Sequence, residues 1–138
     1  MKNNFSEQGN LLLKHIDTAD AICVGAAAGM SVAAGYDCAY HNNKYFEKYL
    51  GEFGRKYGFE GSFNGYYYRY QTSEERWAFL AASIYMNMNL PDGMVYQNLF
   101  ELLEGKNYFI VTTNQDTLFS RRFPENKVGT IQGDFRCQ

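Results

Sequence analysis

Three short clusters hold the residues of this chain best able to do chemistry. One is Thr113-Asn114-Gln115-Asp116. Asn114 offers a hydrogen-bond donor and an acceptor, and Asp116 offers a carboxylate. A second is Gln132-Gly133-Asp134. The third is Gly25-Ala26-Ala27-Ala28-Gly29-Met30-Ser31, whose tiny side chains let backbone N–H groups approach a pyrophosphate without Cβ atoms in the way. Each cluster follows an apolar run: Ala21 to Val24, Tyr108 to Val111 and Val128 to Ile131. Buried strands that deliver polar groups at their carboxyl ends are how an open parallel sheet builds a nucleotide site.

The elements that position these clusters follow from periodicity. Residues from about Ser6 to Ile16 read as a helix with Leu12, Leu13 and Ile16 on one face. The run after Asn42 places Tyr45, Phe46, Tyr49, Leu50 and Phe53 at helical spacing, and a Gly-interrupted aromatic segment, Gly58 to Tyr70, follows. Thr72-Ser73-Glu74-Glu75 is a capping-box helix start. After it, Trp77, Leu80, Ala81, Ile84 and Met88 define the apolar face. Pro91-Asp92-Gly93 marks a turn, and Val95, Leu99, Leu102 and Leu103 form another amphipathic stripe that ends at Gly105 as a left-handed cap. The expected fold is α/β: a Rossmann-like parallel sheet of about three strands with a small helical module inserted over about 41–92. Doubly wound nucleotide folds have about six strands, so 1–138 is expected to be the N-terminal part of a larger domain.

Composition narrows the function classes. The chain has 138 residues, a formal net charge of −2, twelve Tyr and eleven Phe. Aromatics without a basic stripe favour packing or a small-molecule pocket over base stacking, so no nucleic-acid partner is expected. No apolar run approaches the roughly 20 residues a membrane span needs, so no membrane partner is expected either. Cys23, Cys38 and Cys137 make neither a disulfide framework nor a closed zinc set. Cys23 lies in a buried-strand pattern, where a reduced, inert thiol is expected, and the expected location is cytoplasmic. Arg121-Arg122 reads as a solvent-facing pair. His15 reads as a solvated residue, and His41 follows Tyr40 where the helical module begins.

Ala28-Gly29-Met30-Ser31, Thr112-Thr113-Asn114-Gln115-Asp116 and Ile131-Gln132-Gly133 resemble, in order and approximate spacing, three signatures of the sirtuin family. These are a Gly-Ala-Gly-Ile-Ser loop, a Thr-Gln-Asn-Ile-Asp strand end and a His-Gly at the next strand end. The resemblance runs from about Ala19 to Cys137. Sirtuins are NAD-dependent protein deacylases or ADP-ribosyltransferases with a Rossmann-like large domain and a smaller module of helical insertion and zinc ribbon. The resemblance implies NAD as cofactor and a protein substrate. It places Gly25, Ala26, Ala27, Ala28, Gly29, Met30, Ser31, Thr113, Asn114, Gln115, Asp116 and Gln132 around the dinucleotide, with Asn114, Asp116 and Gln132 catalytic. It also makes Cys137 the first zinc thiolate of a fuller protein, and the 138 residues alone are expected to be inactive.

Three departures shape the reading. Ala27 replaces the first glycine of the loop, which requires a negative φ there. Gly35-Tyr36-Asp37-Cys38-Ala39-Tyr40 stands where sirtuins carry Pro-Asp-Phe-Arg, leaving Tyr36 or Tyr40 to cover the nicotinamide side. Gln132 occupies the position of the catalytic histidine. Together, Ala26-Ala27-Ala28-Gly29-Met30-Ser31 and this glutamine look most like the macrodomain-linked class M branch, associated with protein ADP-ribosylation. Histidine can accept a proton near neutrality and glutamine cannot, so ADP-ribosyl transfer ranks above lysine deacylation. A non-catalytic NAD- or ADP-ribose-binding role is the other alternative. Each cluster also has a plain structural use: a tight turn at Gly25–Ser31, helix capping at Asn114 and Asp116, and a surface amide at Gln132.

Overall fold

A computed structural model describes residues 2–136. Helix α1 (Lys2–Thr18) leads to strand β1 (Ile22–Ala26) and the short helix α2 (Ala28–Ala33). Three helices follow: α3 (Lys44–Tyr57), α4 (Gly61–Tyr67) and α5 (Ser73–Met88). Then come α6 (Met94–Leu103), β2 (Tyr108–Thr112), α7 (Leu118–Arg122), one turn of 3₁₀-helix (Glu125–Lys127) and β3 (Val128–Thr130). The architecture is α/β, with a three-stranded parallel sheet in the order β1-β2-β3, compatible with a partial Rossmann-like fold. No helix among the described residues is long and apolar enough to cross a membrane.

Register explains why three distant segments can meet. Ala26 pairs with Thr112, and Thr112 pairs with Thr130, so the three strands end level with one another. The next residues stay tied across the sheet: Thr113 N–H donates to the Ala26 carbonyl (3.2 Å) and Ile131 N–H to the Thr112 carbonyl (3.0 Å). Strands lie about 4.8 Å apart, so the loops leaving them are held within about 10 Å of each other.

Two apolar clusters hold the chain together. One packs Tyr36, Leu90, Tyr96, Leu103, Ile110, Leu118, Phe119 and Phe123 beneath the sheet. The other gathers around α3, α4 and α5: Phe46, Phe59 and Phe79, with Cys38, Leu50 and Met86, and Tyr49, Phe53, Tyr57, Tyr66 and Tyr70 pack against it. Each fully buried Phe or Leu contributes roughly 1.5–3 kcal/mol, so these helices have a core of their own. The α3 start is fixed by Asn43, whose Oδ1 accepts from Tyr45 N–H (2.9 Å) and Phe46 N–H (3.0 Å). Gly58 closes the helix at φ +74°. Thr72 Oγ1 accepts from Glu75 N–H (3.2 Å) at the start of α5. The Glu75 side chain reaches back one residue further than the capping box requires, to Gln71 N–H (3.2 Å).

Several sequence expectations are corrected. Helix α5 buries Phe79, Ser83 and Met86, not the Trp77–Met88 stripe; Trp77 is 68% exposed and Met88 47%. Apolar residues lie all round this helix, so periodicity alone cannot choose the face, and the aromatic cluster chooses it instead. In α6 the buried residues are Tyr96 and Leu103, whereas Val95, Leu99 and Leu102 border a groove beside β1. Leu12 and Leu13 of α1 are exposed. Cys23 is exposed because β1 alternates: Ile22, Val24 and Ala26 face the core, and Cys23 points the other way. Arg121 and Arg122 are not a free solvent pair. Arg121 donates to the Leu90 carbonyl (2.8 Å), tying α7 to the turn before α6, and the Arg122 guanidinium lies over the Phe100 ring.

Gly61 joins the helical module to the segment before it. Its φ is +67°, and a Cβ there would sit 2.5 Å from the Ala39 carbonyl oxygen. Ser62 and Phe63 N–H donate to the Cys38 and Ala39 carbonyls at 2.9 Å each, so neither backbone can withdraw easily. Gly61→Ala is therefore expected to destabilise the fold by about 2–4 kcal/mol, from left-handed strain plus overpacking. The midpoint of urea unfolding checks this, and an unchanged midpoint would contradict it.

Candidate active site

The loops at the carboxyl ends of the strands face the helical module across a cleft of about 370 Å³, within the range of small-molecule sites. Its sheet side is lined by Ala27, Ala28, Ser31, Thr113, Asn114, Gln115, Asp116 and Gln132. Its other wall carries Tyr36, Cys38, Tyr40, Phe63, Tyr66 and Asn87. The three clusters picked out by residue type thus share one cavity. The small-residue loop is split, however. Ala27, Ala28 and Ser31 line the cleft, whereas Gly25, Ala26, Gly29 and Met30 line an apolar groove between β1, α2 and α6. Successive residues of a strand and of a helix point in different directions, so no seven-residue run can present all its side chains to one ligand. Ala27 meets its requirement, with φ −141°.

At the floor of the cleft Ser31 joins three other side chains. Its hydroxyl donates to Asp116 Oδ2, and Asn114 Nδ2 donates to Ser31 Oγ (3.0 Å) and to the Ala27 carbonyl (3.2 Å). Tyr96 Oη lies 3.3 Å from Ser31 Oγ. A hydroxyl has one proton and two lone pairs. With the Ser31 proton given to Asp116, the Tyr96 O–H is the donor in its pair, and Ser31 is saturated. Both Asn114 amide protons are directed at protein acceptors, so the group this residue can offer a ligand is its Oδ1 acceptor. The backbone is fixed as well: Asn114 N–H donates to Thr112 Oγ1 at 3.0 Å.

Asp116 plays two parts. Its Oδ1 accepts from Leu118 N–H (3.2 Å), the helix-capping use of such a residue, while Oδ2 faces Ser31. Burial raises its pKa above the ordinary aspartate value, and the Ser31 hydrogen bond works against that rise. A carboxylate perturbed by desolvation within a cleft is a mark of functional sites. Burial likewise pushes Tyr96 up to about 12 and the Cys38 thiol up to about 11, so both are neutral near pH 7. None of the described residues lining the cleft is Lys, Arg or His, and Asp116 supplies its charge.

Thr117, next in sequence, adopts φ +68°, the one positive φ at a non-glycine among the described residues. For a β-branched side chain this costs about 1–2 kcal/mol. Its hydroxyl is buried without a partner among the described residues. Strain of this kind persists where surrounding structure imposes it, here the turn that lets Asp116 bond Ser31 and Leu118 at once.

Sequence reasoning missed Tyr96, Tyr66, Cys38 and Asn87 as neighbours of the site, since nothing in their local pattern announces a partner far along the chain. Tyr36 and Tyr40, expected near the ligand, do line the cleft. His41 does not line it and pairs with Glu60 at 3.4 Å on the surface. Among the described residues no group of three or more His, Cys, Asp or Glu could hold a metal ion, and Cys137 lies outside them.

No protein-family model matches the chain. It is 35% identical over 135 residues to a Staphylococcus aureus protein named "Protein ADP-ribosyltransferase", covering 96% of this chain and 42% of that protein. It is 31% identical over 134 residues to a Fusarium oxysporum protein named "Probable bifunctional ADP-ribose hydrolase/ADP-ribosyltransferase", covering 93% of this chain and 22% of that protein. The chain thus spans less than half the length of either relative.

Proposed function

We propose that this chain forms the NAD-binding cleft of a sirtuin-type protein mono-ADP-ribosyltransferase. The observation that carries this reading is the convergence of Asn114, Asp116 and Gln132 with Ala27, Ala28, Ser31, Thr113 and Gln115 in one cavity. The similarity to proteins named as ADP-ribosyltransferases supports the reaction class, and the three strand-end motifs support the sirtuin type.

The cleft's chemistry fits the reacting end of NAD. A flat pyridinium cation suits a cavity whose charge is one carboxylate and whose far wall is aromatic, with Tyr36, Phe63 and Tyr66. When NAD is bound, cleavage of its nicotinamide–ribose bond lets positive charge develop on the ribose carbon. Asp116, partly desolvated and oriented by Ser31, stabilises that charge in a medium where electrostatics are strong. Asn114 Oδ1 accepts from a ribose hydroxyl or an ordered water and holds the ring. Gln132, exposed at the mouth of the cleft, positions but takes no proton. That is adequate for direct transfer to a protein nucleophile and poor for deacylation, which needs a base.

The test uses the complete polypeptide, NAD labelled in its adenylate half and a panel of acceptor proteins. Release of nicotinamide coupled to label on a protein is expected. Acyl release from acyl-lysine peptides without labelling would overturn the transferase assignment. Thermal stabilisation by NAD with no turnover would reduce the reading to a binding module.

A further inference from the structure

Tyr96 lies on α6, outside every motif of the candidate site, yet it is 1% exposed and its hydroxyl reaches Ser31, 65 residues earlier in the chain. Its ring is clamped edge-to-face against Phe119, with centroids 4.8 Å apart, which fixes where the hydroxyl oxygen sits. The order of donors is Tyr96 O–H to Ser31 Oγ, then Ser31 O–H to Asp116 Oδ2. In such a chain each bond polarises the next, so a donor into Ser31 makes Ser31 a stronger donor to the carboxylate. Tyr96 also fills a Ser31 lone pair, which leaves the Ser31 proton one productive direction and the remaining lone pair to Asn114.

We propose that Tyr96 is a positioning residue of this site, acting through Ser31 to hold Asp116 and Asn114 in the orientation the reaction uses. It touches neither substrate nor reacting atom. The inference rests on the reading of the cleft as an NAD site for its kinetic part, and on the network alone for the rest. The groups that bear electrostatically on Asp116 are Arg121 and Asp134, with Cys38 and Tyr96 as neutral neighbours. Tyr96→Phe alters none of the charges.

The experiment compares wild type, Tyr96→Phe and Ser31→Ala in the complete polypeptide. Tyr96→Phe keeps the ring against Phe119, so the fold should survive, and a thermal melt checks that. In protein without ligand, carboxyl-carbon NMR follows the titration of Asp116. Tyr96→Phe is expected to raise its midpoint, in the direction of Ser31→Ala but by less. With NAD, kcat for nicotinamide release is expected to fall about tenfold with KM little changed, the size of one lost hydrogen bond. An unchanged titration midpoint overturns the inference whether or not NAD is turned over. An unchanged kcat in an active enzyme overturns it too. A wild type that releases no nicotinamide while the midpoint still moves defeats the NAD reading and leaves the network standing. A Tyr96→Phe protein that melts early, with midpoint and kcat as in wild type, shows a packing role and overturns the inference.

Discussion

Asp116→Asn is expected to lower kcat for nicotinamide release by about 10²–10³-fold, the cost of removing one preorganised electrostatic group from a partly desolvated site. The amide is nearly the same size but has one acceptor oxygen where the carboxylate has two, so it keeps the Ser31 bond at the expense of the Leu118 N–H cap; KM for NAD should still move less than kcat. The variant should also lose a pH dependence. Burial raises the folded-state pKa of Asp116 above its ordinary value of 3.8. The active carboxylate is therefore lost as pH falls through that raised value, and wild-type kcat/KM should show an acid limb above the usual aspartate range that Asp116→Asn lacks. Stability has the opposite sign. A carboxyl whose folded pKa is raised favours the folded state most when protonated, so its contribution is lost as pH rises through the folded pKa. Steady-state rates across pH, with urea midpoints at the same pH values, measure both. An acid limb that survives in the variant would remove Asp116 from the reaction.

Gln132→His is expected to shift the balance of products. Gln132 lies in the turn just past β3, its carbonyl held by Gln115 Nε2 at 3.1 Å, so a new side chain enters the cleft from an anchored backbone. Its side chain is exposed, and imidazole fits without displacing a core group. General-base assistance is worth roughly 10²–10⁴-fold, so release of acyl groups from peptide lysines should rise by an amount within that range while ADP-ribosyl transfer does not. Parallel assays of acyl release and protein labelling give the ratio. A ratio identical to wild type would show that position 132 does not choose the outcome.

Much of the fold was legible because its signals are local. Strand ends are marked where apolar runs meet Gly and Ala after β1 and Asn, Asp and Gln after β2 and β3, and the parallel register then sets those ends side by side. Gly105 sits at a helix boundary for a backbone reason that sequence carries directly, its φ of +73°; the Asn43 cap of α3 emerged only in the structure. Faces were harder. Helix α5 is apolar on several sides, so its buried side depends on which aromatic residues of α3 and α4 it meets. Cys23 shows the same limit, since an uninterrupted apolar strand does not say which of its two faces is covered. In the site, Asn114, Asp116 and Gln132 could be named from their places after strands. Tyr96 could not, because its role depends on a hydroxyl meeting Ser31 across the core. Asn114 carried both donor and acceptor on paper, and the structure commits its donors to Ala27 and Ser31.

In the proposed complex, three strand ends surround the reacting half of one dinucleotide. A crystal structure of the complete polypeptide with NAD tests it most directly. The nicotinamide ribose should lie within hydrogen-bond reach of Asn114 Oδ1, with the Asp116 carboxylate beside it and the Gln132 side chain across the opening. A dinucleotide seated instead in the groove along Gly25, Ala26, Gly29 and Met30, or away from both, would remove Asn114, Asp116 and Gln132 from the reaction.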